Sequence, residues 1–228
     1  MANGSQTAPP ERSRLVDHFK RGYQIIVGLS ITLACGKLFC SGTPVIDSKL
    51  WMFLTFFVTI VPIFQGGDRS LDIKYLQTEL KGFWQKAAYV WDVYMLLLTA
   101  ILFVKVAQAI PQVQGCPASF IFGSADSGAG STAGHFYLWM TIMLSFDALV
   151  LLVDWTKTKL LGLPSREKVK PYWWWIAINL VVAVICGVAS AYDGALPWIG
   201  TYTALFIFVL AVARSVADYC LGHEFMFP

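Results

Sequence analysis

The chain has 228 residues, of which 57% are hydrophobic and 14% are charged, and its mean hydropathy is +0.60. Soluble domains carry about 25% charged residues, so this composition excludes an ordinary water-soluble protein. The length suits one compact domain and excludes a second globular unit. With a net charge of only +3, the chain offers no soluble domain that would bind nucleic acid.

Six long apolar runs follow one another along the chain: Tyr23–Cys40, Leu50–Phe64, Ala87–Ile110, Phe136–Leu160, Tyr172–Ala191 and Leu196–Leu221. Most have the ~20 residues that a helix needs to cross a ~30 Å hydrocarbon core. In lipid the backbone must satisfy its own hydrogen bonds, and the alternating pattern of a barrel strand is absent. We therefore predict an all-α integral membrane protein in which residues 23–228 form a single six-helix transmembrane domain.

The N-terminal segment, residues 1–22, divides into two parts. Residues 1–10 are polar and contain glycine and proline, which predicts a flexible tail. From Arg12 to Tyr23 the apolar residues recur at helical spacing with cations opposite them. This pattern predicts a short amphipathic helix in the headgroup layer.

A second interfacial helix is predicted over residues 68–86. One face of this segment carries regularly spaced apolar residues, and the other carries lysine, glutamine and threonine. Gly66 and Gly67 are expected to end the second transmembrane helix, and Asp68 is expected to cap the interfacial one. The apolar face either packs on the membrane surface or docks a partner.

Lysine and arginine are concentrated in every second connection between the six spans, and therefore on one side of the membrane. They occupy the N-terminal segment and the connections after the second and fourth spans, whereas Lys49 is their only representative in the other connections. Cytoplasmic loops accumulate these residues, so both termini are expected in the cytoplasm, with anionic lipid attracted to the inner face. The expected location is the inner (plasma) membrane of a bacterium.

The third connection, residues 111–134, is rich in Gly, Ser, Ala and Pro, and Asp126 is its only charge. Loops of this length are uncommon in a compact fold, so it is either a partly ordered flap over the outer face or a mobile loop. Cys40 and Cys116 are both predicted on the outer side. An oxidising compartment there would allow them to form a disulfide.

Small residues at four-residue spacing mark places where helices can approach closely. Gly28, Thr32 and Gly36 share one face of the first span, and Ala183 and Gly187 share one face of the fifth. Such stripes serve either packing within the bundle or the interface of a homo-oligomer or larger membrane complex.

The candidate functional site is a set of ionisable residues inside the predicted spans: Asp92, Asp147, Asp154, Arg214 and Asp218. Asp147 and Asp154 are seven residues apart and share a helical face, as do Arg214 and Asp218, four residues apart. A charge at the bilayer centre costs about 2.5–3.5 kcal/mol or more. These side chains are therefore expected to face protein or water between the third, fourth and sixth helices.

Depth separates these residues, because each residue adds ~1.5 Å along a helix. Asp147 falls near the midplane, and the other four fall in the cytoplasmic half at comparable levels. There, one guanidinium beside three ionised carboxylates gives a net charge of −2. Either a cation is held among them or at least one Asp stays protonated; in a purely structural alternative, Arg214 simply ties the helices together.

Asp147 has no basic neighbour predicted at its own depth. A neutral carboxyl at the membrane centre suits a proton relay, but a carboxyl that is merely hydrogen-bonded to a neighbouring helix gives the same sequence. The candidate partners are Asn179, Thr99 and Ser145. Lys37 and Lys105 lie in the outer halves of their spans, and their long stems are expected to reach the outer headgroups.

No cofactor is predicted. The three histidines lie at span ends or outside the spans, and no pair has the spacing of a haem or zinc site. The sequence shows no nucleophile motif, phosphate-binding loop or nucleotide fingerprint, so an enzymatic activity has no support in it.

Two classes of function are favoured, and an enzyme that acts on lipids is a distant third. In the first, the bundle conducts or couples a cation, above all a proton, through the acidic residues and Arg214. In the second, it is a non-catalytic membrane subunit or effector that binds and scaffolds partner proteins, and the same charges are internal ties.

Overall fold

The computed structural model describes residues 10–39, 47–76, 82–111, 133–161, 172–192 and 200–222. Its six long helices are α1 (Pro10–Phe39), α2 (Ser48–Leu71), α3 (Phe83–Ala109), α4 (Ala133–Leu161), α5 (Tyr172–Ala191) and α6 (Gly200–Leu221). A π-helical turn, Asp72–Leu76, follows α2 directly. Each long helix contains a stretch long and apolar enough to cross a membrane, which confirms an all-α protein with six candidate transmembrane helices.

The helices pack mainly as α4 with α5, α2 with α6, and α1 with α3, and α3 also contacts α4. Many of the large, completely buried side chains lie where the C-terminal halves of α1 and α3 meet the N-terminal halves of α2 and α4. They include Phe56, Phe103, Phe136, Met140 and Leu144, each 0% exposed. This end of the bundle therefore has a dry, apolar core.

The outer surface of the bundle is apolar as well. Ile25, Leu149 and Val184 are examples of large hydrophobic side chains that are more than half exposed. Helices that are apolar on all sides are typical of membrane spans, so the packing agrees with the composition.

Residues 10–22 form the first turns of α1 and not a separate interfacial helix as predicted. Part of the apolar face is buried in the bundle, since Val16 is 1% exposed and Tyr23 2%. Lys20 also turns inward, and its Nζ lies 3.0 Å from a carboxylate oxygen of Asp68 and 3.0 Å from one of Asp72.

The predicted helix end at Gly66 and Gly67 is wrong, because α2 continues through both to Leu71. A Cβ atom on Gly67 would lie 2.5 Å from Cδ2 of Leu96. This glycine therefore serves the close approach of α2 and α3 and does not end the helix.

The interfacial helix predicted over residues 68–86 stays a prediction. The end of α2, the π-helical turn and the start of α3 occupy its described part, and residues 77–81 lie outside the described residues. The same is true of residues 112–132 in the predicted outer loop, and of Cys40 and Cys116.

The two small-residue stripes behave differently. A Cβ atom on Gly187 would lie 3.6 Å from the side chain of Thr141, so the stripe on α5 serves packing against α4. Gly28 and Gly36 are exposed, and a Cβ atom on either would meet nothing within 4 Å among the described residues. The α1 stripe does not pack within this part of the bundle.

Lys37 forms hydrogen bonds to the end of a neighbouring helix, and its position relative to the headgroups stays a prediction. Its Nζ donates to the carbonyl of Ile110 over 2.8 Å and also to the carbonyl of Gln108. These carbonyls belong to the C-terminal end of α3, where a cation is favourable. Lys105 is exposed.

Pro62 lies inside α2 and, having no N–H, leaves the carbonyl of Val58 without its helical partner. The hydroxyl of Ser215 donates to this carbonyl over 2.8 Å. A polar residue of α6 thus replaces the hydrogen bond that proline removes from α2.

Replacing Ser215 with alanine is expected to lower the free energy of unfolding by about 1 kcal/mol, because the partly buried carbonyl of Val58 loses its donor. Denaturant unfolding in detergent would measure the change. The control Thr156→Val removes an exposed hydroxyl that bonds only to the carbonyl of Leu152 in its own helix. An equal loss in both variants would contradict the role given to Ser215.

Candidate functional site

A cavity of about 90 Å³ lies among α2, α3, α4, α5 and α6. One water molecule needs about 10–15 Å³ on this measure, so the cavity has room for several. Its ionisable lining residues are Lys74, Asp92, Asp147, Asp154, Arg214 and Asp218. The structure thus places all five residues selected from the sequence around one cavity, and it adds Lys74.

We give the name lysine–aspartate cluster to four residues: Lys74, Asp92 and Asp154, which line the cavity, and Lys157, which contacts Asp92 and is not a lining residue. The ammonium of Lys74 lies 3.3 Å from Oδ2 of Asp92 and also contacts Oδ1 of Asp154. The ammonium of Lys157 contacts Oδ1 of Asp92. The side chains of Lys74 and Asp154 are each 9% exposed, so this pair is largely removed from water.

Two tyrosine hydroxyls complete the cluster. Tyr75 donates to Oδ2 of Asp92 over 2.6 Å, and Tyr172 donates to Oδ2 of Asp154 over 3.0 Å. Lys74 and Tyr75 are consecutive residues of the π-helical turn, and both reach Asp92. π-Helical turns inside helical segments are frequently found at functional sites, and this one brings two donors to a single carboxylate.

Arg214 organises the other part of the wall. Its Nη1 lies 3.5 Å from Oδ2 of Asp218 and 3.4 Å from the carbonyl oxygen of Thr59, and its Nε donates to Oδ1 of Asn179 over 2.7 Å. Arg214 is 4% exposed and Asp218 5%. The guanidinium therefore ties α6 to α2 and α5, and its carboxylate partner is on its own helix.

Asn179 continues these contacts to Asp147. Its Nδ2 donates to Oδ2 of Asp147 over 2.6 Å. Of the three hydrogen-bond partners suggested for Asp147 from the sequence, the structure shows this one. Asp147 is the central residue of the 29-residue helix α4, about 21 Å from either end. We call Asp147, Asn179, Arg214 and Asp218 the arginine–asparagine chain.

Sequence reasoning missed the two lysines. It assigned Lys74 to the polar face of an interfacial helix and Lys157 to a basic connection, whereas both contact Asp92. The signal that could have found them is the predicted excess of negative charge, which requires nearby cations. With them, four carboxylates face three basic groups around the cavity.

The core beyond Asp147 is apolar. Leu144 lies one helical turn from Asp147 along α4, and Phe103 lies one turn from the cavity residue Thr99 along α3. Phe56 of α2 joins them in the same buried cluster, and all three are 0% exposed. We call Phe56, Phe103 and Leu144 the apolar barrier, because they offer no side-chain hydrogen bond to an ion or to water.

No protein-family model, curated protein or solved structure matches this chain. Among the residues that the structure describes, no three His, Cys, Asp or Glu side chains gather closely enough to hold a metal ion. The chemistry of the cavity is therefore the basis for assigning a function.

Proposed function

We propose that this membrane protein couples the movement of a small cation, a proton in the first place, to a change of its own conformation. The observation that carries the proposal is Asp147, a carboxyl at the centre of α4 on the wall of a cavity with room for water. Ionisable groups inside membrane spans are costly, and acidic ones typically mark ion pathways and proton relays.

Further carboxyls provide steps for a proton within the cavity. Asp154 lies on the same face of α4 as Asp147, two helical turns or ~10 Å away, and Asp218 lines the same space. Water molecules in the cavity would bridge these separations by hydrogen bonds. The cavity can therefore act as a short proton pathway that ends at Asp147.

The apolar barrier favours coupling over free conduction. A proton that leaves Asp147 for the far side must pass Phe56, Phe103 and Leu144, which are completely buried and bind no water. Passage therefore requires the helices to rearrange, and two packed arrangements of such a core are discrete states. Protonation of Asp147 would then shift the balance between them.

The orientation follows from the basic residues. Lys74 and Lys157 belong to the two basic connections, so we place the charged end of the cavity and both termini in the cytoplasm. The inner membrane of a bacterium, with anionic lipid at the cytoplasmic face, fits this arrangement. The exposed α1 stripe of Gly28, Thr32 and Gly36 leaves a surface for a homo-oligomer or a larger membrane complex.

Asp147→Asn is expected to abolish proton flux while leaving the bundle folded, because asparagine keeps the shape and the acceptor oxygen but cannot exchange a proton. Asp154→Asn is expected to abolish flux as well, with a loss of stability because it breaks the buried pair with Lys74. The measurement is acidification of proteoliposomes under a pH gradient and a membrane potential, read with an enclosed pH dye and compared with empty liposomes.

The matched control is Asp72→Asn, since Asp72 pairs with Lys20 and is not among the residues that line the cavity. Its flux should equal that of the wild type. Wild-type protein that carries Na⁺ or K⁺ but no protons would identify a metal cation as the ion. Wild-type protein that carries none of the three would contradict the proposal.

A second candidate is a non-catalytic membrane subunit or effector that scaffolds partner proteins. The near-complete pairing of the lysine–aspartate cluster favours it, because such contacts also serve to fix helices relative to one another. In that case the flux of the wild type and of both variants would equal that of empty liposomes. Asp147→Asn and Asp154→Asn would instead reduce the amount of protein or of an assembled complex.

A further inference from the structure

We infer that Asn179 is a positioning residue that connects the charge of Arg214 to Asp147 and thereby controls proton exchange at that carboxyl. This inference rests on the proposed function, since it assigns a role within the same cavity. It concerns three residues on three helices, joined by two consecutive hydrogen bonds.

The direction of the Asn179 amide is fixed by its partners. A guanidinium can only donate, so the amide oxygen must face Nε of Arg214, at 2.7 Å. The amide nitrogen then faces Oδ2 of Asp147, at 2.6 Å. Asp147 can accept this hydrogen bond when ionised and also when a proton sits on its other oxygen, so the contact holds the carboxyl in place through both states.

The link from Arg214 to Asp147 runs through Asn179 because the guanidinium is held elsewhere. Its Nη1 is engaged by the carbonyl of Thr59 and the carboxylate of Asp218. Asn179 is 1% exposed, so bulk water has little access to replace the amide. The amide therefore transmits the polarising effect of a buried cation to the carboxyl at the centre of the membrane.

Other charged groups also face this region and set the background for Asp147. The cavity wall brings Lys74 from the π-helical turn, Asp92 from α3 and Asp154 from α4 itself. Tyr23 of α1 interacts with Asp147 electrostatically. Unlike these groups, Asn179 contacts Asp147 and Arg214 simultaneously, so its removal should change the response of Asp147 specifically.

Asn179→Leu tests the inference, because leucine has a similar volume and cannot form hydrogen bonds. The readout is the infrared carbonyl band of the protonated Asp147 carboxyl, assigned by its loss in Asp147→Asn and followed against pH in liposomes. We expect the midpoint of this band to move to higher pH by about one to two units, the value of a hydrogen bond to a charged group.

The matched control is Thr141→Val. It removes another hydrogen bond between α4 and α5, from the hydroxyl of Thr141 to the carbonyl of Ala183 over 3.1 Å, without touching Asp147. Its midpoint should stay at the wild-type pH. An equal shift in this control, or no shift in Asn179→Leu, would overturn the inference.

Arg214→Gln adds a test of transmission, since it removes the charge but keeps a donor. It should raise the midpoint in the wild-type background and have a much smaller effect when combined with Asn179→Leu; additive shifts would contradict a link through the amide.

If Asn179→Leu does not fold, Asn179→Ser replaces it, because a serine hydroxyl is too short to span both partners. A shifted midpoint in a protein that carries neither protons nor Na⁺ or K⁺ would overturn the proposed function and leave this inference standing.

Discussion

Replacing Lys74 with methionine is expected to lower the free energy of unfolding by about 3–5 kcal/mol, the usual cost of leaving a buried charge without its partner. Methionine keeps the length and the apolar stem but removes the ammonium that lies between Asp92 and Asp154. Lys157 still contacts Asp92 and Tyr172 still donates to Asp154, but Asp154 loses the ammonium that contacts it. Denaturant or thermal unfolding in detergent would measure the loss.

The double variant Lys74→Met/Asp154→Asn should recover most of this loss, because it removes both charges of the pair together. The control Lys105→Met removes an exposed lysine of α3 and should leave stability unchanged. A Lys74→Met variant as stable as the wild type would show that Asp154 does not depend on the ammonium of Lys74.

The six helices could be predicted because the apolar runs are a property of the local sequence. The fifth run was predicted over Tyr172–Ala191 and is observed with the same bounds. The second was predicted to end at Phe64, whereas α2 continues to Leu71. Along this extension Gly67 lies so close to α3 that a Cβ atom would lie 2.5 Å from Cδ2 of Leu96, a contact that no local pattern reveals.

The difference between local sequence patterns and contacts between helices also explains which site residues could be predicted. Asp147 stands out from the sequence because it interrupts an apolar run, and a charge in lipid must face protein or water. Lys74 lies in an amphipathic segment, where a cation facing the headgroups and a cation facing the bundle give the same pattern. Only the continuation of α2 into the π-helical turn directs its ammonium to Asp92 and Asp154.

Phe103→Ala is expected to lower the free energy of unfolding by about 3–5 kcal/mol and, if the apolar barrier limits passage as proposed, to add a proton leak. Phe103 is 0% exposed and lies one helical turn beyond the cavity residue Thr99. Removing its ring leaves a space next to the polar cavity, which water from the cavity can enter. Protons could then pass without a change of conformation, so proton flux in proteoliposomes should exceed the wild-type rate.

Phe57→Ala is the matched control, because Phe57 is 40% exposed and lies next to Phe56 in α2 on the outward side. Its truncation should neither open a leak nor cost as much stability. The double variant Phe103→Ala/Asp147→Asn shows whether the leaking protons pass through Asp147, in which case the leak disappears. A leak that persists in the double variant would mean that protons bypass this carboxyl, and a destabilised Phe103→Ala without any leak would place the barrier elsewhere in the bundle.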